Sequence, residues 1–334
     1  MLFLFSAFNT IFSEDKKLRY PSLPPDCCHN TIGVDSKKTY SFTIAPNFGI
    51  IYGQAMEYVY PTTTKGEYLS ELLWDMNELF YFGIQIELGL RDIMSKAGFF
   101  TSLSFKAGLP GDSGFIENRD WQSTENDNLT DYSKHTNRTD EWYTADAFIG
   151  ISIPASVLYI KPFLQGSWMR FSFSGRDGFG EYAKIISTGK YHPITDDPYK
   201  YSYSGMKVIT YQQNWFLAAG GLLLGTDILS PFYFDISFSI SPLTYCIAID
   251  QHLTTKVTYY DFTSRGLFIE PACSILYKGK IFDYSVNFIY RSIGRTRGET
   301  YYIPPDSEYA RLSPNESGAG LSVFYTRFLL KLNF

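Results

Sequence analysis

The sequence predicts an all-β protein: a ten-stranded antiparallel transmembrane β-barrel with long extracellular loops. Aromatic residues make up 18% of the 334-residue chain and charged residues only 19%, whereas a soluble protein usually carries about a quarter charged residues. Beyond the N-terminus no run of about 18 apolar residues could form a transmembrane helix. Several segments alternate apolar and polar residues, a pattern typical of strands with lipid on one face and a wet lumen on the other.

The alternation is clearest in four segments. In Phe80–Leu90 every even position is apolar, while the odd positions include Gln85 and Glu87. The same period recurs in 97–107, 232–240 and 282–290. The polar faces carry charges and amides, which a dry core would not tolerate without partners. A hydrogen-bonded lumen tolerates them, so the pattern favours a barrel over a sandwich.

The chain divides into ten predicted strands, an even number as in single-chain bacterial barrels. They cover 40–60, 70–90, 96–120, 141–154, 157–175, 208–225, 231–256, 262–277, 280–297 and 318–334. The predicted short turns and longer loops alternate: turns at 91–95, 154–156, 226–230 and 278–279, and loops at 61–69, 121–140, 176–207, 257–261 and 298–317. Short turns face the periplasm and long loops face outside. Several strands exceed the roughly 10 residues that cross a bilayer.

The two ends of the chain carry further signals. The apolar run at 2–12 resembles the core of a signal peptide. The last strand alternates and ends in Phe334, which resembles the assembly signal of outer-membrane proteins. We therefore expect a signal peptide at 1–13, an N-terminal segment at 14–38 and a single barrel at 39–334. The four cysteines fit no metal-ligand spacing and leave the disulfide state open: Cys27, Cys28, Cys246 and Cys273.

The first candidate for chemistry is the pair Asp250 and His252. The two residues are two positions apart, so their side chains leave a strand on the same side. A carboxylate beside an imidazole orients the ring and raises its basicity. Apolar residues occupy even positions in 232–240 but odd positions in 245–249. The pair faces the lumen only if the strand changes sides once, and we expect a bulge at Pro242.

Acids, amides and a histidine from separate segments map to the loop end of the barrel: Glu57, Asn118, Asp120, Asp131, Asp250 and His252. A rim rich in acids attracts cationic ligands. A histidine oriented by an aspartate, with another polar pair opposite, can activate a water for amide hydrolysis. These residues therefore predict a hydrolytic site at the rim.

Four segments, in this order along the chain, resemble the omptins, a family of outer-membrane proteases with a ten-stranded barrel. Residues 53–60 resemble the first-strand segment that carries the family's substrate-binding Glu, here Glu57. Asn118-Arg119-Asp120-Trp121 is similar to the family's Asp-x-Asp-Trp motif, and residues 130–135 resemble its Thr-Asp-x-Ser-x-His segment. Asp250-Gln251-His252 matches its Asp-x-His motif. The resemblance runs from about residue 39 to the end, with loop 176–207 poorly matched.

The resemblance implies an aspartic-type endopeptidase that cleaves at basic residues and has no cofactor. Its catalytic residues would be Asn118, Asp120, Asp250 and His252. His252 would take a proton from water, Asp250 would hold the imidazole, and Asp120 would hold the water or polarise the scissile carbonyl. The substrate-binding residues would be Glu57, for the side chain before the cut, and Asp131, for a basic residue after it.

Two positions depart from the family pattern. Asn118 stands where the family has an aspartate, and an amide can hydrogen-bond a water but cannot take a proton. Ala248 stands where members often have another acid of the basic pocket, which leaves Glu57 there and predicts a weaker or altered preference. The residues also give little support to a lipopolysaccharide requirement, because Arg170 matches a lipid contact but Gly166 and Trp168 replace polar ones.

The sequence is compatible with three functions. The first is an outer-membrane endopeptidase whose active site faces outside and whose partners are extracellular basic peptides or proteins and membrane lipids. The second is a catalytically weakened barrel that serves as a surface adhesin or binding protein. The third is a pore, which bulky inward residues such as Tyr81, Phe148 and Tyr233 disfavour. The net charge of −5 argues against nucleic acid as a partner, and we expect a monomer.

Overall fold

The computed structural model describes residues 38–61, 69–92, 97–155, 158–226, 231–279, 282–305, 307 and 309–333. The predicted signal peptide, Cys27, Cys28 and Phe334 lie outside the described residues. No helix in the described part of the chain is long and apolar enough to cross a membrane.

Seventeen strands in these ranges form ten barrel strands, four of which are interrupted once, and three short loop strands. In chain order they are β1 (Lys38–Val59), β2 (Ser70–Asp92), β3 (Gly98–Gly108), β4 (Gly111–Asp120), β5 (Asp131–Ala155), β6 (Leu158–Tyr182), β7 (Ile185–Ser187), β8 (Lys190–Tyr191), β9 (Tyr199–Ser202), β10 (Lys207–Thr226), β11 (Phe232–Ser241), β12 (Thr244–His252), β13 (Val257–Ser264), β14 (Phe268–Lys278), β15 (Asp283–Ile293), β16 (Arg297–Ile303) and β17 (Arg311–Asn333). The interrupted barrel strands are β3 with β4, β11 with β12, β13 with β14, and β15 with β16. The loop strands are β7, β8 and β9.

The barrel strands form a ring in which each pairs antiparallel with both neighbours. The last strand, β17, pairs with the first, β1, from Thr43 opposite Asn333 to Val59 opposite Ser317. The other neighbours pair in chain order, with β10 bridging β6 to β11 and β12. This arrangement confirms the predicted ten-stranded antiparallel barrel.

Lipid and lumen explain the alternation along the membrane-spanning part of each strand. On β2 the side chains of Phe80, Phe82 and Ile84 are 45–59% exposed, whereas Tyr81 and Gln85 are at most 1% exposed. The outward apolar belt ends near the aromatic residues Tyr52 on β1 and Tyr245 on β12. Beyond this level β1 continues to Val59 and β12 to His252, so the strands project from the membrane at one end.

Charged residues fill the lumen inside the belt and hold the strands together across it. Arg291 donates to Asp146 over 3.1 Å and also pairs with Glu270. Lys106 donates to the other oxygen of Asp146 over 2.8 Å. All four side chains are at most 2% exposed. Together with the buried inward rings of Tyr81, Phe148 and Tyr233, this network packs the lumen.

Three predicted loops were too long, and the predicted loop 257–261 is instead part of β13 (Val257–Ser264). Strand β5 begins at Asp131 instead of residue 141, and β17 begins at Arg311 instead of 318. Strand β6 reaches Tyr182, and β9 pairs with it in the middle of the predicted loop 176–207. These extensions lie above the membrane, where both faces of a strand meet water or polar groups, so no apolar alternation marks them.

The expected change of side between β11 and β12 is present. The buried positions are odd in β11, including Ser239 and Ser241, and even in β12, including Ala248 and Asp250. At the break Ser241 Oγ accepts a 2.8 Å hydrogen bond from the backbone N–H of Leu243. Asp250 therefore faces the lumen, as the prediction of a bulge at Pro242 requires.

Candidate active site

A cavity of about 520 Å³ opens at the projecting end of the barrel. Five of the six predicted site residues line it: Glu57, Asn118, Asp120, Asp250 and His252. They come from β1, β4 and β12, which lie far apart in the chain and meet here because the ring closes. Tyr259 and Tyr302, from β13 and β16, are also part of the lining.

The Asp250–His252 pair forms one side of the cavity. The ring Nε2 of His252 lies 2.6 Å from Asp250 Oδ2. The Asp250 side chain is 3% exposed, while that of His252 is 40% exposed. The imidazole is thus held by a buried carboxylate on one nitrogen and is open to solvent or a ligand elsewhere, which is the arrangement that an oriented general base needs.

Opposing effects act on the protonation of His252. Burial lowers the pKa of the imidazole, but the charge of Asp250, their hydrogen bond and the charge of Asp120 outweigh burial and raise the pKa above its ordinary value. The ring of Tyr259 packs edge-on against that of His252, with centroids 5.4 Å apart. Asp250 therefore stabilises the imidazolium that forms when His252 accepts a proton.

Asn118 and Asp120 form the opposite side. Asn118 Nδ2 donates to Asp120 Oδ2 over 3.2 Å, and Ser70 Oγ donates to Asn118 Oδ1 over 3.2 Å. Burial raises the pKa of Asp120 against the effects of Ser70, Asn118 and the charge of His252. The charges of His252 and Asp120 act on each other, and both residues line the cavity, so the two groups lie near each other there.

Glu57 lies at the floor of the cavity and is 4% exposed. Within the described part of the chain, no residue is a hydrogen-bond partner of its Oε2 atom. Burial, followed by the charges of Asp250 and Asp261, raises the pKa of Glu57 well above its ordinary value. A buried acid among other acids favours a cation that enters from outside the protein.

Asp131 is placed differently from the other five predicted residues, because it does not line the cavity. It lies opposite Asp120 in the register of β4 and β5, and it accepts a 2.7 Å hydrogen bond from Gln122 Nε2. Burial and then the charge of Asp120 raise its pKa to about 6. Asp131 thus adds negative charge beside Asp120, on the neighbouring strand.

Asp261 is the residue that the sequence analysis missed. It lies on β13, lines the cavity and is 4% exposed. Its Oδ1 accepts a 2.7 Å hydrogen bond from Thr300 Oγ1. Burial raises its pKa to about 7 despite that bond, and the charges of Asp250 and Glu316 act in the same direction. The sequence pattern had placed residues 257–261 in a loop, so no inward face was assigned to them.

Within the part of the chain that the structure describes, no group of three or more His, Cys, Asp or Glu side chains has the arrangement of a metal site. The neutral and acidic side chains around the cavity can instead hold a water and a cationic group.

Comparison with known proteins gives one family. The sequence model of the Omptin family matches residues 38–334 of this chain. No curated protein sequence matches the chain.

Among solved structures, the chain resembles an outer-membrane protease. The crystal structure of the outer membrane protease OmpT from Escherichia coli superposes with a TM-score of 0.77 at 19% identity, covering 88% of this chain and 97% of that one. The Pseudomonas putida toluene transporter TodX has a TM-score of 0.29 at 9% identity over 88% and 90% of the chains. The transport unit of the Escherichia coli autotransporter AIDA-I has a TM-score of 0.27 at 9% identity over 86% and 89%. Only the first superposition bears on the fold.

Proposed function

This chain belongs to the omptin family, and we propose that it is an outer-membrane endopeptidase that hydrolyses peptide bonds at basic residues. The observation that carries the proposal is the geometry of one cavity. There a buried Asp250 holds His252 at 2.6 Å, and the Asn118–Asp120 pair faces them. The family and its ten-stranded barrel support the same assignment.

In the proposed reaction a water lies between His252 and the Asn118–Asp120 pair. His252 takes one proton from the water as the oxygen attacks the scissile carbonyl carbon, and the Asp250 carboxylate stabilises the imidazolium. The carbon–nitrogen bond then breaks, and His252 gives its proton to the leaving amine. Asp120 and the Asn118 amide position the water through hydrogen bonds, which needs no proton transfer at Asn118.

The charges around the cavity support basic substrates. Glu57 and Asp261 line the cavity, and Asp131 lies beside Asp120 on the neighbouring strand. We assign Glu57 to the side chain before the scissile bond and Asp131 to a preference for a basic residue after it. The partners would be basic peptides or proteins outside the cell, bound by a monomer in the outer membrane. Arg170 is engaged by Glu141 at 2.9 Å, and we propose no requirement for lipopolysaccharide.

Hydrolysis of a quenched peptide that contains Arg-Arg tests this function. The refolded full chain in detergent would be measured beside His252→Ala, Asp250→Ala and the control His192→Ala, which removes an exposed histidine outside the cavity. We expect cleavage by the wild type and the control, and loss of cleavage in both site variants. Full activity of His252→Ala would refute the proposed mechanism.

Two residues favour a second function, a binding barrel without turnover. Asn118 removes an ionisable group from the catalytic pair, and Ala248 removes an acid from the pocket. This alternative predicts that no basic peptide is cleaved by the wild type at any pH, while Asn118→Asp restores cleavage. Cleavage by the wild type decides against it.

A further inference from the structure

Asp261 and Ala248 occupy directly opposite positions on neighbouring strands. In the register of β12 and β13, Ala248 is the Cα partner of Asp261. Side chains directly opposite each other on antiparallel strands point to the same face, with Cβ atoms about 4.5–5.5 Å apart. The Asp261 side chain, which lines the cavity, therefore lies beside the methyl group of Ala248.

Among the described residues, no cationic side chain pairs with the carboxylates of Glu57 and Asp261. Both side chains are 4% exposed, and neither forms a salt bridge within the described ranges of the chain. Glu57 lines the cavity, and its buried Oε2 has no hydrogen-bond partner among the described residues. Asp261 also lines the cavity and is bonded through Oδ1 to the neutral Thr300. Buried carboxylates are normally paired, so this floor is built for a cation that arrives with a ligand.

The depth and walls of the cavity define that cation. Ala248, and with it Asp261, lies two residues deeper along the barrel than Asp250, which is roughly 6.6 Å at the rise of a strand. Arginine and lysine carry their charge at the end of three or four methylene groups, which suits this depth. The rings of Tyr259 and Tyr302, with centroids 6.0 Å apart, line the wall and can pack against a guanidinium.

We propose that Asp261 is the second carboxylate of the pocket for the basic side chain before the scissile bond. It acts together with Glu57 and takes the place that an acid at position 248 would fill. This inference rests on the proposed endopeptidase function and assigns its specificity to a residue of β13. It predicts a strong preference for arginine, instead of the weakened preference that Ala248 alone implies.

Matched peptides with arginine or citrulline before the scissile bond test the inference, because citrulline keeps the shape and lacks the charge. The ratio of kcat/KM for the two peptides would be compared in wild type, Asp261→Asn and Glu299→Gln. Glu299 is exposed on the other face of β16, next to Thr300, so its variant controls for loss of one negative charge. We expect the ratio to fall roughly thirtyfold in Asp261→Asn, the lower bound for removing one partner of a buried charge pair, and to stay unchanged in Glu299→Gln.

The double variant Ala248→Asp with Asp261→Asn separates recognition from folding. Because the two positions are register partners, an acid on β12 can reach the same space, and the arginine preference should return. A purely structural role of Asp261 predicts no such rescue and no change in the arginine-to-citrulline ratio. Either result would overturn the inference.

A binding experiment keeps the inference testable if the wild type cleaves nothing. The probe is acetyl-alanyl-arginine, with acetyl-alanyl-citrulline as its control, titrated into His252→Ala and into His252→Ala with Asp261→Asn. Tighter binding of the arginine peptide that is lost with Asp261 would support the pocket while the protease proposal fails. Equal binding of the two peptides to His252→Ala would refute the pocket itself.

Discussion

At position 118 an amide stands beside the Asp120 carboxylate, and this contact limits how the pair can act. Asn118 Nδ2 donates to Asp120 Oδ2 and its Oδ1 accepts from Ser70, so the amide orients Asp120 and keeps one N–H and one lone pair for a water. It cannot exchange a proton with the water, because an amide has no ionisable group. Asp120 is therefore the member of this pair that can exchange a proton, and in the proposed reaction the proton of the water goes to His252.

Asn118→Asp should raise kcat for an arginine peptide by up to about 10²-fold, the lower end of what one positioned acid–base group contributes. The second carboxyl would share a proton with Asp120, because two adjacent carboxylates do not both ionise easily. The measurement is kcat at saturating substrate from pH 5 to 9. Asn126→Asp, the same change on an exposed loop, should leave kcat unchanged; an unaltered or lower kcat in Asn118→Asp would contradict this role.

The pH dependence of kcat should report the pKa of His252. The base works when the imidazole is neutral, so kcat should rise as pH increases through the pKa, which Asp250 and Asp120 hold above its ordinary value against the effect of burial. Asp250→Asn removes the charge that favours the imidazolium. The rising limb should then move to lower pH, and the maximal kcat should fall about 10²–10⁴-fold because the ring loses its orientation. If the rising limb stays at the same pH in Asp250→Asn, a group other than His252 controls the pH dependence of kcat.

At the scale of the strands, changes of side determine which residues reach the cavity. In β13 the buried positions are the odd ones, Asp261 and Thr263, whereas in β14 they are the even ones from Phe268 onward. The break at 265–267 separates the two patterns. Extending the alternation of β14 backward would turn Asp261 outward, so even a longer predicted strand would not have placed it in the lumen. The equivalent change at Pro242 was predictable because the two halves of that strand each show a clear apolar face.

The buried network of β14, β15 and β5 should contribute strongly to stability. Arg291 is 1% exposed and pairs with both Glu270 and Asp146. Arg291→Leu would leave two buried carboxylates short of a cation and should lower the free energy of unfolding by about 3–5 kcal/mol. Guanidinium unfolding in detergent micelles measures this change.

The exposed pair Arg170–Glu141 supplies the control for that experiment. Its side chains are 35% and 42% exposed, and pairs of this kind contribute about 0–1 kcal/mol. Arg170→Leu should therefore be nearly neutral in the same assay. A loss in Arg291→Leu no larger than that in Arg170→Leu would show that water or local rearrangement compensates the buried acids.

Across the whole molecule, the sequence pattern predicted the strands where lipid contacts the chain. It did not predict their extensions where lipid is absent. Lipid requires an apolar outward face, and that requirement made all ten barrel strands visible as alternating segments. Above the membrane, residues 131–140 form part of β5, yet polar groups on both faces make them look like a loop. The cavity lies in this projecting region, so its motifs were found through the family resemblance, and Asp261, which has no motif, was not.

The two ends of the barrel differ in a way that predicts the orientation of the cavity. Four of the five connections at the cavity end, including Tyr182 to Lys207, are longer than any connection at the other end, where Ala155 and Leu158 are almost adjacent. Short turns face the periplasm in bacterial barrels, so the cavity should open to the outside of the cell. Cells that express the protein should cleave an arginine peptide coupled to a bead that cannot cross the outer membrane, and the rate should not rise when the membrane is permeabilised. The same cells with His252→Ala should not cleave it, which excludes other proteases; cleavage that appears only after permeabilisation would mean that the cavity faces the periplasm.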